Sequence, residues 1–171
     1  MIDAKSQETV SAPTLERRDD MGRLVAVTRY GVGAGGDAAT ARWLMAVDGS
    51  ECSLRAVAMV ADLVARECRA EIDVVNVQPW VNKEAAEIQL ARRGLEATER
   101  ARQLLDAAGV RWRLHIVMGE GAPEIVGMAN ALGSCGIGVG SHGLTATQSV
   151  LLGSVTDKVA RQASRPVLIV R

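Results

Sequence analysis

From residue 43 onward the chain alternates short apolar runs with longer stretches in which apolar residues recur at helical spacing. That alternation is the pattern of successive βαβ units, and it points to a parallel sheet covered on both faces. Five runs fit strands, at 43–47, 72–77, 112–117, 137–140 and 167–170. Between the first two, Leu54, Val57, Ala58, Ala61, Val64 and Ala65 form one apolar stripe, which makes that segment a crossover helix. A second helix is predicted over 82–108, with Ile88, Ala91, Leu95, Thr98 and Leu105 on its inner side and Gly109 where a helix-ending glycine belongs. Arg92, Arg93, Glu96, Glu99, Arg100 and Gln103 make its solvated face. Pro123 opens a third helix carrying Ile125, Val126, Ala129 and Leu132, and a fourth spans 154–163 before Pro166 turns the chain into the last strand.

Residues 1–41 lack such a pattern, offering too little periodic apolar surface to offset the entropy of ordering them. They are predicted to be a mostly flexible leader ahead of a domain at 42–171, with Leu24-Val25-Ala26-Val27 as an apolar island that is either an edge strand or surface. Composition excludes several classes. With 20 basic and 20 acidic side chains in 171 residues there is no whole-chain field to hold a polyanion, so nucleic acid is not expected as a partner. The apolar runs fall far short of the roughly 20 residues of a membrane helix, so no membrane association is expected. The first residues lack the basic start and apolar stretch of a secretory signal, so a cytoplasmic location is predicted. Cys52, Cys68 and Cys135 form no C-x-x-C pair, so neither a disulfide framework nor a zinc site of usual spacing is expected.

The chemistry is expected where glycine clusters. The segment from Gly138 to Ser154 holds the spacing Gly140-x2-Gly143-x9-Gly153-Ser154, at the end of the fourth strand and the start of the fourth helix. Glycine places no Cβ between backbone amides and a ligand, and a helix N-terminus adds unpaired donors and partial positive charge. Together with Ser141, His142 and Val155 these residues predict an anion cradle. After the first strand, Asp48-Gly49-Ser50 precedes a helix. If the first strand is central and the fourth lies beside it, Asp48 and Gly140 end side by side at the switch in strand order, where open sheets bind ligands. Asp48 would then accept hydrogen bonds from a base or sugar while Gly49 and Ser50 line the loop.

At 43–171 the sequence resembles the universal stress proteins. The markers are Val47-Asp48-Gly49-Ser50, the segment Gly119-Glu-Gly-Ala-Pro-Glu-Ile125, the glycine spacing above, and the closing Arg165-Pro-Val-Leu-Ile-Val-Arg171. The resemblance implies a single open five-stranded parallel sheet in the order 3-2-1-4-5, of the adenine-nucleotide alpha-hydrolase-like kind. It implies ATP with Mg²⁺ held against Asp48, Val77, Gly140, Gly143, Gly153 and Ser154, and a homodimer made through strand 167–170. Two departures bear on affinity. Gly136 and Gly138 lie inside a central strand, where each is expected to weaken it by roughly 0.5–1 kcal/mol. Gln148 and Ser149 stand where many relatives carry a basic pair, removing a phosphate counter-charge.

Other readings are weaker. Gly138-x-Gly-x-x-Gly143 matches a dinucleotide fingerprint but lies in the fourth unit, and no P-loop motif is present. A Ser141–His142–Asp48 hydrolase is rejected because adjacent Ser and His are expected to point apart and no G-x-S-x-G elbow occurs. Cys52 near a helix start is a candidate for a lowered thiol pKa. His115 is expected to be a packed strand residue, and Trp43, Trp80 and Trp112 core or interface residues. The expected function is a nucleotide-binding regulatory dimer of the stress response without catalytic residues. The alternatives are a dimeric interaction module that binds no nucleotide, and a slow ATPase.

Overall fold

In the computed structural model, which describes residues 15–31, 41–67, 70–144 and 152–171, the five expected runs stand side by side as parallel strands. Gln148, Ser149, Cys68 and residues 1–14 and 32–40 of the expected leader lie outside the described residues. The elements are β1 (Leu15–Arg18), β2 (Leu24–Tyr30), β3 (Ala41–Ala46), α1 (Glu51–Glu67), β4 (Ala70–Gln78), α2 (Lys83–Ala107), β5 (Trp112–Met118), α3 (Gly121–Ala131), β6 (Gly136–Gly140), α4 (Ser154–Gln162) and β7 (Val167–Val170). Strand order is β1-β2-β5-β4-β3-β6-β7. The segment β5-β4-β3-β6-β7 is the expected 3-2-1-4-5 order, but the sheet has seven strands rather than five, and the two added ones come from upstream of residue 41.

Those two strands are antiparallel, and local chemistry explains both. In β2, Leu24, Val25 and Val27 are buried, and the strand pairs with β5 from Ala26 opposite Val117 to Tyr30 opposite Arg113. The Leu24–Val27 island is therefore an inner strand, since β1 lies outside it. The turn between β1 and β2 is held by Asp19, whose Oδ1 accepts from the amides of Met21 (3.1 Å) and Arg23 (2.9 Å), with Gly22 at a φ of 73°. Every residue of β1 is exposed, and Arg18 pairs with Glu87 of α2. A charged, short outer strand of this kind discourages further pairing.

Helices α1 and α2 cover one face of the sheet and α3 and α4 the other, giving two apolar cores. The inward stripe of α2 runs through Ala86, Leu90, Gly94, Thr98, Ala101 and Leu105. Ile88, expected on that stripe, is 71% exposed, because the stripe is set by residues two positions on either side of it. Trp112 is buried, Trp43 is packed at the core margin, and Trp80 is exposed beneath the Arg23 guanidinium at 5.4 Å. Gly136 and Gly138 have a packing role that the sequence did not reveal. A Cβ on Gly136 would stand 2.6 Å from the Trp43 ring, and one on Gly138 would stand 2.5 Å from Met45 Sδ. Both large side chains come from β3 and lie across the bare backbone of β6. Among the described residues no helix is long and apolar enough to cross a membrane.

Toward the strand starts, the α3 side of the sheet carries a buried ion cluster. Arg113 grips Asp73 through Nε–Oδ1 (2.7 Å) and Nη2–Oδ2 (2.9 Å), and His115 Nε2 lies 3.0 Å from the same Oδ1. Thr28 Oγ1 is 3.3 Å from the other ring nitrogen of His115. Arg42 reaches Glu71 at 2.8 Å. His115 is thus a packed strand residue, as expected, but a polar one.

Candidate functional site

The site forms where β3 and β6, adjacent and parallel, send their connections in opposite directions. Trp43, Leu44 and Met45 pair with Gly136, Ile137 and Gly138, while α1 leads back to β4 and α4 leads on to β7. A crevice opens at such a point because the two crossovers leave from neighbouring strand ends toward opposite faces. Val47 still belongs to the β4 side, its amide donating to Val75 O (2.9 Å) and its carbonyl accepting from Asn76 Nδ2 (2.7 Å). Beyond it the chain turns away.

Asp48 and the loop after Gly140 meet as the sequence predicts. Asp48 Oδ1 accepts from Ser50 N (3.0 Å) and Oδ2 from Leu144 N (3.1 Å), so one carboxylate organises its own turn and reaches across to the other loop. Gly49, at φ +87°, makes the turn that a side chain would strain. Ser50 Oγ donates to His142 O (3.3 Å), a second tie between the loops.

The bare backbone of this loop serves the protein's own packing before any ligand. A Cβ on Gly140 would stand 2.6 Å from Ser53 N and 2.8 Å from Cys52 Cβ, in the first turn of α1. On Gly143 it would stand 2.6 Å from Asp48 Oδ2. At Gly153 the nearest atoms are at ordinary contact distance, 3.5 Å. The Gly153 amide donates to Ser141 O (2.8 Å), and Thr156 Oγ1 donates to Gly140 O (2.7 Å), which fixes α4 against the end of β6. The first intrahelical acceptor is Gly153 O, bonded by Asp157 N (2.9 Å). The amides of Ser154, Val155 and Thr156 precede it, and Gly153 has no side chain to cap them. Ser154 and Val155 are exposed at this positive helix end.

Val77, at the end of the neighbouring strand β4, is half-buried among the apolar residues on the α3 side. Ser141 is fully buried, with its Oγ 2.9 Å from His142 Nδ1. The two side chains therefore meet rather than pointing apart. The hydrolase reading still fails, because the hydroxyl is sealed from solvent and both Asp48 oxygens already accept backbone amides. Cys52, second residue of α1, lies 3.8 Å from Ser141 Oγ and accepts from Arg55 Nη2 (3.3 Å). The Arg55 hydrogen bond, helped by those from Ser141 and the His142 main chain, holds the Cys52 thiol below its ordinary range despite some burial. Sequence reasoning passed over Asn76 and Thr156. A lone amide within the apolar run at 72–77 was the available signal for the first, and the position after Val155 in the first helical turn was the signal for the second.

Residues 41–171 match the model of the universal stress protein family. The chain is 30% identical over 148 residues to universal stress protein YxiE of Bacillus subtilis, covering 76% of this chain and 98% of that one. It is 37% identical over 136 residues to universal stress protein MJ0531 of Methanocaldococcus jannaschii, covering 72% and 78%. A solved universal stress protein in complex with cAMP superposes with a TM-score of 0.57 at 30% identity, over 78% of this chain and 98% of that one. With the glycine-rich crossover and the strand-end Asp48 in place at the switch point, the chain belongs to the universal stress protein family.

Proposed function

We propose that this protein binds an adenine nucleotide, ATP with Mg²⁺, in the crevice between the Asp48 loop and the Gly140–Gly143 loop, and acts as a stress-response regulatory homodimer without turnover. The observation that carries this is the convergence of two strand-end loops on an uncapped, exposed α4 N-terminus at the sheet's switch point. A 30% identical relative is described in complex with cAMP, a ligand of the same chemical class. In this reading Asp48, with Gly49 and Ser50 shaping its turn, faces the sugar and Val77 flanks the base. The main chain of Gly140, His142 and Gly143 and the amides of Ser154 and Val155 lie toward the phosphates, while the amides of Ser141 and Gly153 donate to Val170 O (2.7 Å) and Ser141 O (2.8 Å) and only shape the loop. A sugar hydroxyl would take over Asp48 Oδ2 from Leu144. Mg²⁺ would arrive with the triphosphate, since among the described residues no group of three or more His, Cys, Asp or Glu side chains is gathered to hold an ion.

The homodimer is proposed through β7, a short apolar strand at one end of the sheet whose four residues remain half-buried. Pairing with a second copy would cover that edge. Sedimentation of the wild type and of Ile169→Lys tests it, a dimer turning monomeric being the expected result.

The ligand test is a titration with ATP. Gly140→Val is unsuitable because it drives a side chain into α1, so a loss of binding would report misfolding. Ser154→Glu is better: its carboxylate suits the helix N-terminus of a folded protein but repels a phosphate there. Wild-type saturation in the micromolar range with at least tenfold weaker binding by folded Ser154→Glu is expected, on the order of one lost charge-assisted contact.

The interaction-module reading has one observation in its favour, namely that Asp48 is already occupied by the chain's own amides. A flat ATP titration of folded protein would establish it in place of nucleotide binding. ATP hydrolysis is tested by phosphate release: Asp48→Asn at the wild-type background rate leaves no enzyme.

A further inference from the structure

The seam where α2 crosses the β1–β2 hairpin is charge-matched at one end and mismatched at the other. Near the start of α2, Lys83 Nζ donates to Met21 O (3.2 Å) and Glu87 pairs with Arg18. About four helical turns further on, where α2 packs on β2, Arg102 lies near enough to Arg29 for the two charges to repel. Arg29 stands opposite Leu114 in the β2–β5 pairing, so it lies on the face that α2 covers. Both arginines are half-buried, and the Nε atom of each is shielded from solvent with no hydrogen-bond acceptor. Arg102 Nη2 donates to Leu95 O (3.2 Å). Among the described residues no carboxylate lies within ion-pairing distance of either arginine. The acid one turn beyond Arg102, Asp106, is engaged by Trp112 Nε1 (2.7 Å).

We infer that Arg29 and Arg102 form a receptor for a small oxyanion of the phosphate class, separate from the glycine crevice, that fastens the hairpin to α2. Two half-buried guanidinium groups brought together repel each other and lose part of their hydration, a cost that an anion between them offsets at both. Their planar arrays of N–H donors suit the oxygens of phosphate or a phosphomonoester. Burial and the neighbouring Arg102 charge both act against the charged form of Arg29, which is the effect that a bound anion would reverse.

The test follows the arginine Nε–Hε resonances and the melting temperature of the full chain during titration with inorganic phosphate, ionic strength being held constant with chloride. O-phosphoserine is titrated in parallel, and the tighter of the two shows whether the free ion or a phosphomonoester is preferred. Saturable movement of the Arg29 and Arg102 signals and a Tm gain beyond chloride are expected, with affinity reduced about tenfold or more in Arg29→Gln and in Arg102→Gln. Ser154→Glu, altered only at the glycine crevice, should keep the response. Arg102→Glu should raise Tm without phosphate, by pairing with Arg29, and abolish the response. Unmoved Arg29 and Arg102 signals, or a phosphate-dependent Tm gain in Ser154→Glu that survives the further change Arg29→Gln, overturns the proposal.

Discussion

Leu144 donates its main-chain N–H to Asp48 Oδ2 at 3.1 Å, and through this bond the loop after β6 closes onto the loop after β3. The same oxygen lies where a Cβ on Gly143 would be, 2.6 Å away, so a bare residue 143 is a condition of the closure. Asp48→Ala removes the acceptor of two amides at once, that of Ser50 in a part-buried bond and that of Leu144 in an exposed one. We expect a stability loss of about 1–3 kcal/mol and a nucleotide affinity reduced by the contact to the sugar. Hydrogen exchange at the Leu144 amide should accelerate in the variant, and exchange at the wild-type rate would show that the bond does not persist in solution.

The glycines of β6 make a second case, because Met45 and Trp43 fill the space that ordinary side chains would take. Gly138→Ala should destabilise by about 1–3 kcal/mol, the range for overpacking a core, although alanine is the better residue for an ordered backbone. In a Met45→Ala background the cost should vanish, since the added methyl then meets free volume. Urea denaturation of the four proteins gives the coupling directly, and additive effects would contradict this account.

How much of this was legible beforehand follows from the same residues. The apolar runs marked the five parallel strands to within two residues at each end, and the run at 167–170 coincides with β7. Asp48 and the spaced glycines located the point where the loops after β3 and β6 meet, since both signals are local. What escaped depended on partners distant in sequence. Leu15–Arg18 carries no strand pattern and exists as β1 only because β2 and Glu87 receive it. Gly138 reads as a defect until Met45 is laid across it. The Asp73 cluster draws on four strands that no spacing rule connects.

Cys52 combines a helix start with an arginine one turn on, and this should show as reactivity. Its thiol titrates below the ordinary value of 9.0, the Arg55 hydrogen bond being the main cause. Thiolate is therefore available at lower pH than in a free cysteine. Alkylation by iodoacetamide, read as rate against pH for the peptide containing Cys52, should have its inflection below 9.0 in the wild type and move upward in Arg55→Gln. An unchanged inflection in the variant would assign the shift to the helix and Ser141 instead.

Asp73 should govern the acid limit of the fold. It is fully buried, and burial alone would raise its pKa; the hydrogen bonds from His115 and Arg113 outweigh that and hold it below the ordinary value of 3.8. A carboxyl depressed in the folded state adds stability that is complete above its unfolded pKa, near 4, and is lost as pH falls through the lower folded value. Asp73→Asn removes this contribution and leaves the half-buried Arg113 without its charge partner, a loss of about 3 kcal/mol at neutral pH, the low end for breaking a buried pair. The gap between wild type and variant should be widest near pH 6 and should narrow as pH drops below 3.8. Urea midpoints measured from pH 6 to about 2.5 trace that narrowing. A gap that stays constant across the range would mean that Asp73 contributes by shape and not by charge.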